Sequence, residues 1–94
     1  MLVRHAVDKF RVGSGIATTT PQPISDNTLP VYQGVRIRAG TDNDGAIDVG
    51  PLGVSAGNSF QLAPGKDLLV QVNRLNKVFV CSATEGNTYA WAAV

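Results

Sequence analysis

Turn-forming residues interrupt this sequence about every eight to twelve positions, and this spacing limits how the chain can fold. Glycine, proline, asparagine and aspartate cluster at the interruptions, and the segments between them are rich in valine, isoleucine, threonine and aromatic residues. Short strands at such intervals are typical of an antiparallel β-sandwich or a small barrel. No stretch of a dozen residues keeps a helical period without a glycine, proline or asparagine inside it, so we expect an all-β domain with almost no helix.

Alternation over residues 31–39 predicts one half-buried strand. Val35 and Ile37 alternate there with Arg36 and Arg38. Successive side chains of a strand point to opposite faces, so this segment is predicted to bury its aliphatic residues and expose its arginines.

Three turns are predicted to join neighbouring strands. Residues 42–45 favour a turn, and 46–49 supply a return strand, which together predict a first hairpin. Pro64 and Gly65 suit the two central positions of a type II turn, which would close a β-arch or a hairpin. Residues 78–94 predict a last hairpin around a polar turn.

Both faces of this last hairpin are apolar, because Val80 alternates with Phe79 and Cys81, and Trp91 alternates with Ala92. Such a hairpin must be covered on both sides. We expect one side to be the domain core and the other to contact a second subunit or the amino-terminal arm of the same chain. Cys81 is interpreted as core or interface packing.

Residues 1–30 differ from the rest, since Pro21, Pro23 and Pro30 favour extended chain without regular pairing. They are interpreted either as an arm that reaches a neighbouring subunit or as edge segments of the same sheet. The whole chain, residues 1–94, fits one domain whose β core is residues 31–94.

Charge and apolar content argue against several classes of partner. The net charge is +1, far from the basic excess of proteins that bind nucleic acid. The longest apolar run, residues 89–94, is too short to span a membrane, and the amino terminus lacks the apolar stretch of a secretory leader. We therefore expect a protein synthesised in a cytoplasm that binds neither nucleic acid nor membrane.

The residues needed for catalysis or metal binding are sparse. His5 stands alone, and Cys81 has no cationic neighbour in sequence that would activate its thiol. Asp42, Asp44 and Asp48 surround Gly45, but their spacing does not match an EF-hand loop, so we interpret them as turn residues. No catalytic, cofactor-binding or metal-binding residue is predicted, and the chain is not expected to be an enzyme.

Two further motifs have structural interpretations. Gly13 and Gly15 lack the rest of a phosphate-binding loop and are interpreted as a flexible turn. Tyr32, Tyr89 and Trp91 could stack on a sugar, although aromatic residues on strands ordinarily serve packing.

From Gly34 onward the sequence resembles a class of small virion proteins of tailed bacteriophages. The matching features are a V-G-x-x-G-V loop at residues 49–54, an apolar segment ending in Pro-Gly at 60–65, and an L-x-K-V-F-V strand at 75–80. The resemblance implies a capsid decoration, or cement, protein: a compact β fold, often trimeric, that binds the major capsid protein on the capsid exterior without a cofactor. An alternative in the same class is a host- or carbohydrate-recognition module of a head fibre or tail.

The first 38 residues carry five basic and two acidic side chains, and this asymmetry motivates a hypothesis about contacts. The arm and the arginine face of the strand at 31–39 are predicted to bind the capsid or another subunit, together with the apolar last hairpin. The candidate contact residues are Leu2, Val3, Arg4, Phe10, Arg36, Arg38, Phe79 and Trp91.

Overall fold

The computed structural model describes residues 10–26, 30–55 and 57–93, which form a sandwich of two four-stranded antiparallel sheets. The front sheet contains β1 (Arg11–Ile16), β3 (Val35–Ala39), β6 (Asp67–Val70) and β8 (Thr88–Ala93), and the back sheet contains β2 (Gln22–Pro23), β4 (Ile47–Gly50), β5 (Phe60–Leu62) and β7 (Phe79–Cys81). The strand order is β1-β8-β3-β6 in front and β2-β7-β4-β5 behind. The predicted all-β class is confirmed, and of the two expected architectures the chain forms the sandwich.

Helix is limited to one short 3-10 turn, Leu75–Lys77, in the part of the chain that the structure describes. No helix there is both long and apolar enough to cross a membrane.

The alternation predicted for the third strand is confirmed over Val35–Ala39, whereas residues 31–34, predicted to belong to it, precede the strand. Val35, Ile37 and Ala39 are fully buried between the sheets, and Arg36 and Arg38 point outward. In the core these aliphatic side chains meet residues of the back sheet such as Ile47, Val49 and Val80.

The type II turn predicted at Pro64 and Gly65 is also confirmed. Gly65 has a φ of +80°, and the Lys66 amide donates a hydrogen bond of 3.0 Å to the Ala63 carbonyl. Positive φ at the third residue defines this turn type and favours glycine there. The turn carries the chain from the back sheet to the front sheet, so the connection is a β-arch.

The first and last predicted hairpins are wrong. β3 and β4 lie in different sheets, and so do β7 and β8, so these connections are also arches. Of the consecutive described strands, only β4 and β5 form a hairpin, closed by the glycine-rich segment that follows Gly50. Alternation identifies strands but does not state which sheet each strand joins, and this information was missing from the sequence.

Residues 10–26 resolve the alternatives left open for the amino-terminal third. Arg11–Ile16 pairs along its whole length with β8, and Gln22–Pro23 pairs with β7. This part of the predicted arm therefore forms an edge strand of each sheet. Residues 1–9 and 27–29 lie outside the described residues.

Candidate interaction surface

The outward side of the front sheet presents a continuous face built from four paired strands. The strand register places Val12, Ala92, Arg36 and Leu69 in one row across the sheet, and Ser14, Ala90, Arg38 and Asp67 in the next row. Phe10, Ile16 and Thr88 complete the set, which we call the outer face.

Three large apolar side chains are exposed close together on the outer face. Phe10 is 58% exposed, Val12 67% and Leu69 44%. Phe10 and Leu69 flank a shallow depression with Arg36 and Ala92. Neighbouring exposed apolar side chains often mark a binding site, whereas single ones are ordinary. The small alanines of β8 keep the centre of the face low, so a flat partner can approach the sheet closely.

The outer face also carries an excess of positive charge. The Asp67 carboxylate lies 3.3 Å from the Arg36 guanidinium and 4.0 Å from that of Arg38. Both arginine side chains remain more than half exposed, so these ion pairs contribute little to folding stability. Two guanidinium groups share one carboxylate, and hydrogen-bond donors stay available for a negatively charged partner group.

The structure brings together three of the predicted contact residues: Phe10, Arg36 and Arg38 meet on the outer face. Phe79 is half-buried in β7 of the back sheet and lies apart from them. Leu2, Val3 and Arg4 lie outside the described residues.

Trp91 is not a surface residue in this structure, because its side chain is 9% exposed and belongs to the core. It faces Gly13 across the β1–β8 pair, and a Cβ added to Gly13 would lie 2.6 Å from the indole ring. Tyr89 occupies the corresponding place against Gly15. The predicted turn at these glycines is therefore wrong: they are the inward positions of a strand, left without side chains so that two rings can fill the space.

The same packing leaves only one of the three aromatic residues considered for sugar stacking exposed to solvent. Tyr89 and Trp91 are buried, whereas Tyr32 is 65% exposed. The three rings do not form a common surface that could stack on a sugar.

Val12 and Leu69 were missed as contact candidates because an apolar residue in a predicted strand was assumed to face the core. The signal for Val12 was present in its neighbours: when the alternate positions are glycines, the larger residues between them need not face inward. A signal for Leu69 was also present, because it alternates with Leu68, Val70 and Val72 and shares its face of the strand with Gln71 and Asn73.

The turn at residues 42–45 is held by the side chains of Asn43 and Asn87. The side chain of Asn43 donates through Nδ2 to the Thr88 carbonyl at 2.9 Å, and its Oδ1 accepts from the Thr88 backbone N–H at 2.8 Å. Asn87 is buried, donates to Ser82 Oγ at 2.8 Å and accepts from the Asp44 amide at 3.0 Å. These bonds fix the β3–β4 arch against the start of β8.

The aspartates near this arch do not converge. Asp42 and Asp44 are exposed, whereas Asp48 is buried in β4 and accepts a hydrogen bond of 2.8 Å from Ser59 Oγ. Within the described ranges, no three histidine, cysteine or acidic side chains are placed to hold a metal ion. Cys81 pairs with Asp48 across β4 and β7; burial raises the pKa of its thiol, and the Asp48 carboxylate raises it further.

An open cleft of about 430 Å³ lies between the edges of the two sheets. Its walls are mostly apolar and include Phe60, Leu68, Val70 and Val72, and Lys77 is the one charged residue in its described lining. Acid–base catalysis needs a positioned proton donor or acceptor of suitable pKa, and this lining offers only a lysine.

Comparison of the chain with protein-family models, curated proteins and solved structures finds no match.

Proposed function

We propose that this protein is a structural component of a bacteriophage virion that decorates and reinforces the capsid. In this proposal it binds the major capsid protein on the capsid exterior, as a homotrimer, and acts without a cofactor or catalysis. The observation that carries the proposal is the outer face, where exposed Phe10, Val12 and Leu69 surround Arg36 and Arg38. The sequence resemblance of residues 34–91 to small tailed-phage virion proteins supplies the class of partner.

The outer face suits attachment to a protein surface. Burying exposed apolar side chains contributes about 25 cal/mol for each Å² of apolar area removed from water. The arginines can form charge-assisted hydrogen bonds with carboxylates of the partner, which orient the contact and disfavour basic surfaces. Repeated on a symmetric lattice, contacts of modest area add up through multivalency and raise the free energy needed to separate capsid subunits.

A recognition module of a head fibre or tail has less support from the described residues. Such a module would expose aromatic rings beside polar groups, and Trp91 and Tyr89 are buried. Tyr32 is the exposed ring that remains from the predicted platform.

The test is co-sedimentation of the purified protein with capsids assembled from the major capsid protein encoded in the same genome. We expect saturable binding that Arg36→Glu with Arg38→Glu weakens by about tenfold or more, because both cations then become anions on the contact face. Lys66→Glu, at an exposed turn position off the outer face, is the matched control for one charge reversal.

Capsids that bind neither the unchanged protein nor the Lys66 variant would overturn the proposal. A genome that encodes no capsid protein would also overturn it. Equal binding by the arginine variant would show that the outer face is not the contact surface.

A further inference from the structure

The free edge of β1 offers a second mode of interaction, through backbone groups in the plane of the front sheet. The side chains of its residues Val12, Ser14 and Ile16 also belong to the outer face. β1 is the terminal strand of the front sheet, and no described residue pairs with its other side. It spans six residues, RVGSGI, without proline or an internal charge. Proteins usually protect such an edge with charges, prolines or bulges, because its unpaired backbone groups are a template for another strand.

The hydrogen-bond pattern shows which backbone groups are free. The Ala17 amide donates to the Asn87 carbonyl at 2.7 Å, in register with the β1–β8 pair. Because backbone groups of successive residues point to alternate sides in an antiparallel pair, Gly13 and Gly15 bond toward β8. Val12, Ser14 and Ile16 therefore direct their N–H and C=O groups to the open edge.

The sequence of this edge is nearly symmetric about Ser14. Antiparallel pairing with a second copy, centred on Ser14, would place Val12 opposite Ile16 of the second copy and Ser14 opposite its own equivalent. Val12, Ser14 and Ile16 are the residues whose N–H and C=O groups face the open edge, so each of these pairs would exchange backbone hydrogen bonds. Val12 and Ile16 are 67% and 64% exposed, and the pairing would bring them together on one face.

The remaining positions also permit this register. Gly13 would face Gly15 of the second copy in the close, non-hydrogen-bonded pair, where neither residue has a side chain to obstruct the approach. Arg11 would face Ala17 of the second copy, so no like charges lie opposite each other. Its guanidinium already donates to the Pro30 carbonyl.

We propose that two copies of this chain associate through antiparallel pairing of their β1 strands, joining two front sheets into one eight-stranded sheet about a two-fold axis. The contact is isologous, whereas a trimer requires a head-to-tail contact, so this pairing is a different contact from the one that would form the proposed trimer. A single strand pair buries less than the roughly 1,200 Å² of a standard interface, so the association is weak and depends on concentration.

The test is the weight-average mass by sedimentation equilibrium up to about 1 mM protein, a range that captures weak association. We expect the mass to rise with concentration, and Val12→Lys or Ser14→Pro to lower it toward the monomer mass, by up to twofold at the highest concentration. Val12 is exposed and the Ser14 amide faces the open edge, so both variants keep the β1–β8 pairing. Leu52→Lys, at an 80% exposed position in the connection between β4 and β5 and away from the outer face, is the matched control and leaves the mass unchanged.

Amide hydrogen exchange supplies a second measurement on the unchanged chain. Exchange at Val12, Ser14 and Ile16 slows as concentration rises, while Gly13 and Gly15 change little. A protein that stays monomeric throughout would overturn both the β1 pairing and the proposed trimer, and capsid co-sedimentation would then test the attachment separately. An oligomer whose mass both β1 variants leave unchanged would overturn the β1 pairing alone. An equal loss of mass with Leu52→Lys would also place the contact elsewhere.

Discussion

At the scale of single residues, the front sheet depends on two glycines that face two aromatic rings. Gly13 and Gly15 occupy inward positions of β1, and Trp91 and Tyr89 fold over them from the paired strand. Glycine weakens a strand because it brings no side chain, and an aromatic residue directly opposite can restore the missing packing. The same arrangement explains why Val12, between two inward glycines, points to solvent.

Gly13→Ala should destabilise the protein by about 1–3 kcal/mol, because the added methyl group would overlap the Trp91 ring in a well-packed core. Denaturant unfolding followed by tryptophan fluorescence measures the change directly. Gly57→Ala is the control, since a Cβ there meets no atom within 4 Å. An unfolding free energy that is equal for the Gly13 variant and the unchanged protein would contradict this packing.

At the scale of elements, the connections between strands determine the sandwich. Arches join β3 to β4 and β7 to β8, and Asn43 and Asn87 link the first arch to the beginning of β8. An asparagine side chain carries the same donor and acceptor groups as a peptide unit, so it can continue a ladder where the backbone turns away. The sequence marked a turn at residues 42–45 correctly but did not reveal that distant strands would hold it.

Asn87→Ala should lower the unfolding free energy by about 1–3 kcal/mol, because the Asp44 amide and Ser82 hydroxyl lose their buried partner. Thermal or denaturant unfolding of the variant checks this, with exposed Asn58→Ala as the matched substitution. If both alanine variants were equally stable, the Asn87 bonds would have no net role in holding the arch.

At the scale of the whole molecule, two buried ionisable groups link stability to alkaline pH. Burial raises the pKa of the Tyr89 phenol. The pKa of the Cys81 thiol is also raised, by burial and then by the nearby Asp48 carboxylate. In both cases the folded protein favours the protonated form, so the unfolded chain releases its proton at a lower pH.

The unfolding free energy should therefore be unaffected by these groups at neutral pH and fall as pH rises above about 9, through the ordinary range of thiol and phenol ionisation. Denaturant titrations at several pH values measure the slope. Tyr89→Phe and Cys81→Ala each remove one ionisation and should make the decline shallower. A stability that stayed constant or increased in this range would contradict the prediction.

Several features were predictable from the sequence because they depend on neighbouring residues. Alternation at Val35 to Arg38 predicted which side chains are buried, since the two-residue period of a strand is a local property. Pro64 and Gly65 predicted a type II turn because their backbone preferences match its two central positions. The all-β class followed from the spacing of such turns.

Tertiary structure alone decided which strands share a sheet and which faces stay open. β1 pairs with β8, although the two strands lie at opposite ends of the sequence. No local pattern in either segment could predict that they are partners. Trp91 faces inward because the glycines opposite leave space for its ring, and Phe10 joins Arg36 because the register aligns them. The turn spacing therefore determined that the chain would form a β domain, and long-range packing determined which of its apolar residues remain available to a partner.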